Sequence, residues 1–160
     1  MVDLLPQLDA PPKPEGLTLV VNKSVSSEMI ASMLWGGVFD RHPSLQLTFL
    51  ETGVGWMAHL VTWMDALLDA QPGIKAQLTL SEKPSYYFRR NISASFLWDS
   101  CGIETRDIIG IDCIMWCNDY PHTYGPWPNS RASIDEDLAP CTPEERHQIL
   151  AGNAQRIFGL

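Results

Sequence analysis

Three short apolar segments, each followed at once by polar residues, constrain the fold of this chain more than any other feature of its sequence. They are LQLTFL at 45–50, ISASFL at 92–97 and CIMWC at 113–117. Apolar strands of five or six residues that alternate with helices are typical of parallel βα units, whose sheet is buried on both faces. The sequence therefore predicts an α/β fold with these segments as parallel strands.

Helical patterns occupy the segments between the predicted strands. Apolar residues recur at helical spacing from residue 26 or 27 to residue 41, where Pro43 ends the run, and again over 54–70. A capping box with proline at the first helical position opens another helix at Thr142. Shorter helices are predicted at 85–90, 105–109 and 131–138, and Asn153 is expected to cap a final helical turn.

The N-terminal residues differ in character from the rest. Residues 1–16 are rich in proline and contain few apolar anchors, which is typical of an extended arm without a core of its own. The segment LTLVV at 17–21 is predicted to form a short strand. We therefore divide the chain into an extended proline-rich arm at 1–25 and one domain at 26–160.

The charge balance excludes several classes of partner. Nineteen acidic residues against eleven basic ones give a formal net charge of −8. A protein that binds nucleic acid or an anionic membrane through phosphates needs the opposite balance, so we expect neither as a partner. No segment approaches the ~18 uncharged apolar residues of a membrane span, and the N-terminus has no signal-peptide pattern, so a cytoplasmic protein is expected.

Polar residues that follow the predicted strands are the candidate catalytic residues, because strand ends present loops on a rigid scaffold. Asp119 is followed by Tyr-Pro, so its carboxylate suits a metal ligand or a general base. The alternative is that Asp119 only accepts hydrogen bonds from the turn that it begins. Glu51 is an acid/base candidate or a cap of the following helix. His122 is a substrate contact or a solvated loop residue.

Two tryptophans near these strand ends are candidate substrate-binding residues. Trp56 and Trp127 lie in loop or helix-start segments, where a large ring can face a ligand. Some of the other aromatic residues of the region are expected to belong to the core, and Trp116, within its strand, is one of them. The sequence therefore predicts a small-molecule pocket near the strand ends.

Four blocks of the sequence, taken in order, resemble a known enzyme family. They are residues 36–65, 83–93, 109–130 and the C-terminal segment ILAGNAQRIFGL. Over residues 26–160 they resemble the C-terminal half of amidohydrolase-related proteins of the aminocarboxymuconate-semialdehyde decarboxylase type. The resemblance implies a metal-dependent hydrolase fold, of which this chain would form the C-terminal βα units of a partial (β/α)8 TIM barrel.

The resemblance also implies roles for the residues at the strand ends. Asp119 matches the aspartate after the last barrel strand, a ligand of a divalent metal that also orients or deprotonates the metal-bound water. His122 matches a position close to the metal or the substrate. Glu51 stands where many members carry a histidine, and is left as an acid/base or hydrogen-bonding substitute. The metal implied is zinc, with manganese as the alternative.

The other metal ligands of the family, an HxH or ExH pair in the first strand and a mid-barrel histidine, belong to a half that this chain is expected to lack. Two hypotheses follow. The chain carries half of the site of a metal-dependent hydrolase or decarboxylase for a small organic substrate, carboxylated or aromatic. Alternatively, it is a non-catalytic half-barrel that acts through self-association or pairing with another chain. The expected partner is a second copy or an N-terminal half, without which metal and activity would be absent.

Overall fold

A parallel three-stranded sheet lies at the centre of the computed structural model, which describes residues 15–78 and 80–160 without the side chains of 15–19 and 21–23. Each strand pairs with the next one along the chain, in the order β1-β2-β3. The α/β fold and all three strands predicted from the apolar segments are confirmed, with shorter bounds. The strands are β1 Leu47–Phe49, β2 Ile92–Phe96 and β3 Ile114–Trp116.

Helices connect the strands and pack around them. Those in the described part of the chain are α1 Glu15–Trp35, α2 Val38–Arg41, α3 Gly55–Ala70, α4 Pro72–Lys75, α5 Pro84–Asn91, α6 Ser100–Glu104, α7 Arg106–Ile109, α8 Ser130–Asp137, α9 Pro143–His147 and α10 Asn153–Phe158. A 3-10 turn at Ile111–Cys113 precedes β3, and a π turn at Gln148–Gly152 joins α9 to α10. Among these helices, none combines the length and apolar character that crossing a membrane requires.

One face of α3 forms much of the hydrophobic core. Met57, Val61, Met64 and Leu68 are buried and recur every three or four residues, as expected for an amphipathic helix. The helix packs against α5, α6 and α7. The helix predicted at 54–70 and its apolar face are therefore confirmed, and α3 gives the end of β1 a rigid support.

The strand predicted at 17–21 is wrong, because α1 runs through this segment. Valine and threonine each lower helix stability by only about 0.5 kcal/mol, whereas Ile30 and Leu34 are almost completely buried and dock α1 on the core. Because no glycine or proline interrupts residues 17–35, the docked helix can extend towards its N-terminus. The division between residues 25 and 26 stays a prediction, and the arm residues 1–14 lie outside the described part.

The single helix predicted from residue 26 or 27 to residue 41 is instead two helices, α1 and α2. They are separated at Gly36 and Gly37, where Gly37 adopts a left-handed φ of 63°. A Cβ atom at Gly36 would lie 2.9 Å from the Ser32 carbonyl oxygen. The apolar spacing continues across this break, so the pattern alone does not reveal it.

The side-chain amide of Asn153 is buried and joins the C-terminal helices to β3. The predicted capping box at Thr142 is confirmed, with its reciprocal bonds to Glu145. The prediction that Asn153 caps a final turn is wrong, because Asn153 lies inside a continuous helical run. Its Nδ2 atom donates to the carbonyl oxygens of Ile111 and Ile114, both at 2.8 Å. Asn153 thus satisfies two carbonyl groups beside β3.

The hydroxyl of Tyr87, which lies on the buried face of α5, bonds to three partners outside that helix. It donates to Asp40 Oδ1 at 2.6 Å and accepts the N–H groups of Ser81 and Glu82 at 3.1 and 3.0 Å. Replacing Tyr87 with phenylalanine is expected to lower the free energy of unfolding by about 1–2 kcal/mol, because these partners lose a buried hydrogen bond. Urea-induced unfolding followed by circular dichroism would measure the loss.

The neighbouring Tyr86 provides a matched control. Its side chain is exposed, and its hydroxyl accepts a longer bond of 3.4 Å from Arg90 Nη1. Replacing Tyr86 with phenylalanine is therefore expected to change the free energy of unfolding by less than about 0.5 kcal/mol. Equal losses in the two variants would contradict the role given to the Tyr87 hydroxyl.

Candidate functional site

The polar segments that follow the three strands meet at one edge of the sheet, because the strands are parallel and adjacent. Glu51 follows β1, Asp99 follows β2 and Asp119 follows β3. This edge brings Glu51, Asp119 and His122, which the sequence singles out, into one cluster.

Glu51 and Asp119 both adopt left-handed backbone conformations, with φ of 62° and 52°. Such a conformation costs a residue with a side chain about 1–2 kcal/mol, and it is rare outside glycine, asparagine and aspartate. Strained residues of this kind cluster at functional sites, where the surrounding structure holds them. The two carboxylates that follow β1 and β3 are therefore held in place at a cost in stability.

His122 lies against the carboxylate of Asp119. The distance between His122 Nδ1 and Asp119 Oδ2 is 3.1 Å, and the His122 N–H donates to the Asp119 carbonyl oxygen at 2.7 Å. The Asp119 side chain is one-fifth exposed, whereas that of His122 is largely exposed. With a proton on Nδ1, the imidazole would donate to this carboxylate and keep Nε2 open to solvent. Without that proton, Nδ1 accepts the Tyr124 N–H, which lies 3.4 Å away.

The turn after β3 is stabilised by a side chain other than that of Asp119. Asn118 Oδ1 accepts the Tyr120 N–H at 3.2 Å, which is the local bond typical of an Asx turn. The backbone carbonyl of Asp119, rather than its carboxylate, accepts the His122 N–H. The Asn118 side chain thus accepts the hydrogen bond that the alternative interpretation assigned to the Asp119 carboxylate.

Glu51 is electrostatically tied to Asp119. Partial desolvation, a side-chain hydrogen bond to Asp119 and the negative charge of Asp119 raise the pKa of Glu51, while His122 opposes the rise. Burial is also the main cause that raises the pKa of the Cys117 thiol, with contributions from both carboxylates. Two carboxyl groups this close favour holding one proton between them. The proximity of Asp119 therefore favours the protonated form of Glu51.

The Trp56 side chain packs against the core and bonds to the loop that carries Glu51. Its ring meets Phe49 edge to face, with centroids 6.3 Å apart. Its indole N–H donates to the carbonyl oxygens of Thr52 and Gly53 at 3.1 and 3.0 Å. These contacts hold the loop that carries Glu51, and the substrate-binding role of Trp56 stays a prediction.

Trp127 lines an open cleft beside the loop that follows β3. The cleft has a volume of about 460 Å³, with Trp98 and the polar face of α8 among its other walls. Trp127 is 57% exposed and meets Tyr120 edge to face at 4.8 Å, while Trp98 meets Tyr124 in the same way at 5.4 Å. The ring is available to a ligand, although its binding role stays a prediction.

Asp99 has a structural role that its position at a strand end did not disclose. Its Oδ2 atom accepts the N–H groups of Val54 and Gly55 at 2.6 and 2.8 Å, and its Oδ1 atom accepts the Gly102 N–H at 2.8 Å. One carboxylate thereby caps both α3 and α6. The only sequence signal was an aspartate placed three residues before Gly102, which indicates a helix cap but not the second helix.

The side chains of the cluster suit a metal chemically but form an incomplete site. Asp119, Glu51 and His122 offer carboxylate oxygens and an imidazole nitrogen, which zinc and manganese both accept. Within residues 15–78 and 80–160, however, no group of three histidine, cysteine, aspartate or glutamate side chains is spaced to hold an ion. The described residues thus supply part of a coordination sphere.

Comparison with known families gives one match that spans most of the chain. The family model described as Amidohydrolase matches residues 14–160. Its match begins upstream of residue 26 and includes α1 as well as the three strands.

Solved structures of similar fold are much longer than this chain. An amidohydrolase from Mycobacterium avium subsp. paratuberculosis K-10 is 25% identical with a TM-score of 0.73, over 92% of this chain and 36% of that one. A 5-carboxyvanillate decarboxylase from Sphingomonas paucimobilis is 26% identical with a TM-score of 0.68, over 84% and 39%. The chain therefore spans less than half the length of these relatives, and its βα units correspond to part of a TIM barrel.

A third structure shares the fold alone. It is a dihydroxybenzoic acid decarboxylase from Polaromonas sp. JS666 with bound manganese and an inhibitor. It is 17% identical with a TM-score of 0.70, over 94% of this chain and 48% of that one.

Proposed function

This chain belongs to the amidohydrolase family, and from this premise we propose that it carries part of the site of a metal-dependent decarboxylase or hydrolase. The substrate proposed is a small aromatic molecule that bears a carboxylate. The observation that carries the proposal is the cluster of Glu51, Asp119 and His122 at the strand ends, with two carboxylates held in left-handed conformations.

Exposed aromatic rings beside the cluster support the substrate class. Trp98, Tyr120, Tyr124 and Trp127 are each more than two-fifths exposed. They form two edge-to-face pairs. Aromatic faces of this kind stack on flat rings. The 26% identical relative is named as a decarboxylase of 5-carboxyvanillate, an aromatic carboxylate, and we extend that class of substrate to this chain as part of the proposal.

The carboxyl pair fits the proton transfer that decarboxylation requires. When the carbon–carbon bond to the carboxylate breaks, carbon dioxide leaves and the electron pair stays on the ring carbon, which then takes a proton. Glu51, whose pKa is raised by desolvation and by its neighbour Asp119, is the proposed donor of that proton and recovers it from solvent. In hydrolysis, Asp119 would accept the proton of the attacking water and pass it to the leaving group.

A divalent metal, zinc or manganese, is proposed to be held in part by Asp119. When bound, it would supply Lewis-acid polarisation of the substrate. His122 would orient the Asp119 carboxylate through the contact at Nδ1. Two solved relatives, the Polaromonas enzyme and a 5-carboxyvanillate decarboxylase from Novosphingobium aromaticivorans, contain manganese. The remaining ligands would come from outside the described residues.

Replacing Asp119 with asparagine tests the proposal, because it removes the charge and leaves the shape nearly unchanged. In a complete barrel that contains this chain, the variant is expected to lose bound metal and to turn over at least about 100-fold more slowly. Elemental analysis and carbon dioxide release from aromatic carboxylates would measure both quantities. Asp107→Asn, an exposed change of equal charge on α7, is the control. Unchanged metal content and turnover in Asp119→Asn would refute the role of Asp119.

A second candidate function rests on the edges of the sheet. In the described part of the chain, β1 and β3 each pair with a strand on one side only. Open edges favour pairing with another chain, so a non-catalytic half-barrel that acts by self-association is the alternative proposal. Size-exclusion chromatography with light scattering distinguishes the two, because a stable monomer without partners would contradict the pairing module.

A further inference from the structure

Ser95 lies on β2 between the two strands whose ends carry the candidate acid–base cluster. Its side chain is almost completely buried. The Ser95 hydroxyl accepts the Glu51 N–H at 2.9 Å, and the Cys117 sulfur lies 3.3 Å from the same oxygen. One hydroxyl thereby contacts both Glu51, in the loop after β1, and Cys117, which directly follows β3.

The backbone of Ser95 adds a second bond to the loop after β1. Its carbonyl oxygen accepts the Gly53 N–H at 3.1 Å. Glu51 and Gly53 both have left-handed φ angles, of 62° and 72°. Glycine adopts this conformation without strain, whereas glutamate does so only when the surroundings hold it. Of the two bonds, the one from the Ser95 hydroxyl acts directly on the strained residue.

The contact with Cys117 links the same hydroxyl to the segment that carries Asp119. Cys117 continues the strand pairing, because its N–H donates to the Phe96 carbonyl oxygen at 2.9 Å. Asp119 lies two residues further along, where its left-handed conformation turns the chain. Movement of Cys117 relative to β2 would therefore move the start of the loop that positions Asp119.

We infer that Ser95 is a positioning residue for the acid–base cluster: its hydroxyl sets the placement of Glu51 relative to Asp119. This inference rests on the proposed function. Ser95 does not touch the reacting groups itself and acts through the backbone of Glu51 and the side chain of Cys117. A buried hydroxyl is costly unless it is bonded, so the contacts of Ser95 with Glu51 and Cys117 also offset the cost of burying it.

Ser93 provides a matched comparison on the same strand. It lies two residues before Ser95, so both side chains point to the same face, and it is nearly as buried. Its hydroxyl bonds to Thr48 Oγ1 at 2.9 Å, in the middle of the sheet and not at a strand end. Removing either hydroxyl costs one buried bond, but only Ser95 contacts the cluster.

The test compares Ser95→Ala with Ser93→Ala by nuclear magnetic resonance of the full chain. In Ser95→Ala, hydrogen exchange of the Glu51 amide is expected to accelerate at least about tenfold relative to β2 amides, with shifts at Glu51 and Asp119. Ser93→Ala is expected to leave these signals in place. Equal changes at Glu51 in the two variants, or none in Ser95→Ala, would overturn the inference.

The pair Ser95→Thr and Ser95→Val keeps the test decisive if the alanine variant does not fold. Threonine and valine have nearly the same shape, and only threonine keeps the hydroxyl. The threonine variant is expected to keep the wild-type exchange rate of the Glu51 amide, whereas exchange of this amide in the valine variant is expected to accelerate. Identical Glu51 exchange in these two variants would also overturn the inference.

Turnover separates this inference from the proposed function. In a complete barrel, Ser95→Ala is expected to lower kcat about 10- to 100-fold with little change in KM or metal content, since misplacement affects chemistry more than binding. A wild-type barrel without turnover would refute the proposed function and leave the resonance test standing. An unchanged kcat in an active barrel would refute only the role of Ser95.

Discussion

Replacing Asp99 with alanine is expected to lower the free energy of unfolding by about 3 kcal/mol, because three N–H groups lose a charged acceptor at once. These groups begin α3 and α6, at distances of 2.6 to 2.8 Å from the carboxylate. A negative charge at two helix N-termini also interacts favourably with both helix dipoles. For a chain of this length the loss corresponds to a fall in Tm of about 6–12 °C.

Urea titration and thermal unfolding of Asp99→Ala would measure this loss, with Asp99→Asn as an intermediate case that keeps the shape. Asp107→Ala is the control, because Asp107 is an exposed aspartate close by on α7. It is expected to change the free energy of unfolding by less than about 1 kcal/mol. If Asp99→Ala proves no more destabilising than this control, Asp99 does not join the two helices as described.

Replacing Gly125 with alanine is expected to displace the loop that carries Asp119 and His122. A Cβ atom at this position would lie 2.5 Å from the Asn118 carbonyl oxygen, and backbone has to move to relieve the clash. Overpacking of this kind costs about 1–3 kcal/mol. In a complete barrel, turnover is expected to fall by about 100-fold, because a displacement near 1 Å is enough to misalign reacting groups.

Gly73→Ala provides the matched control for Gly125→Ala. A Cβ atom at Gly73, in α4, would meet no atom within 4 Å. The control is expected to leave turnover unchanged and to stabilise the fold by up to about 1 kcal/mol, because alanine favours helix more than glycine does. Amide shifts confined to residues 118–125 in Gly125→Ala would support the proposed displacement. Wild-type shifts at Asn118 and His122 would contradict it.

The strands were predictable because burial in the sheet leaves a direct mark on the sequence, most clearly in β2, where every residue is buried. Each apolar segment is short, uncharged and followed by polar residues, and tertiary contacts then reinforced the local preference. The segment at 17–21 failed for the opposite reason. Its branched residues favour a strand, but burial of Ile30 and Leu34 docks a helix that continues through it. Local preference gave way there to packing of the helix on the core.

The candidate site was predictable only in part. The position of Asp119 and Glu51 after apolar strands located the edge where both carboxylates lie. The roles of Asp99 and Ser95 depend on partners far away along the chain: Val54 is 45 residues from Asp99, and Glu51 and Cys117 are 44 and 22 residues from Ser95. Such bonds leave no periodic pattern, so neither residue could be assigned from spacing. Their partners follow only from the register of the parallel strands.

The left-handed backbone conformations of Glu51 and Asp119 lower the stability of the fold, whereas their carboxylates are needed for the proposed chemistry. Glycine would relieve the backbone strain at position 51 by about 1 kcal/mol or more. At position 119 the relief would be smaller, because aspartate tolerates this conformation better than glutamate does. Either change would remove a carboxylate. Selection for thermal stability alone would therefore enrich glycine at both positions and erase the acid–base pair. Any directed-evolution scheme that stabilises this protein needs a simultaneous selection for activity, or these two positions need to be held constant.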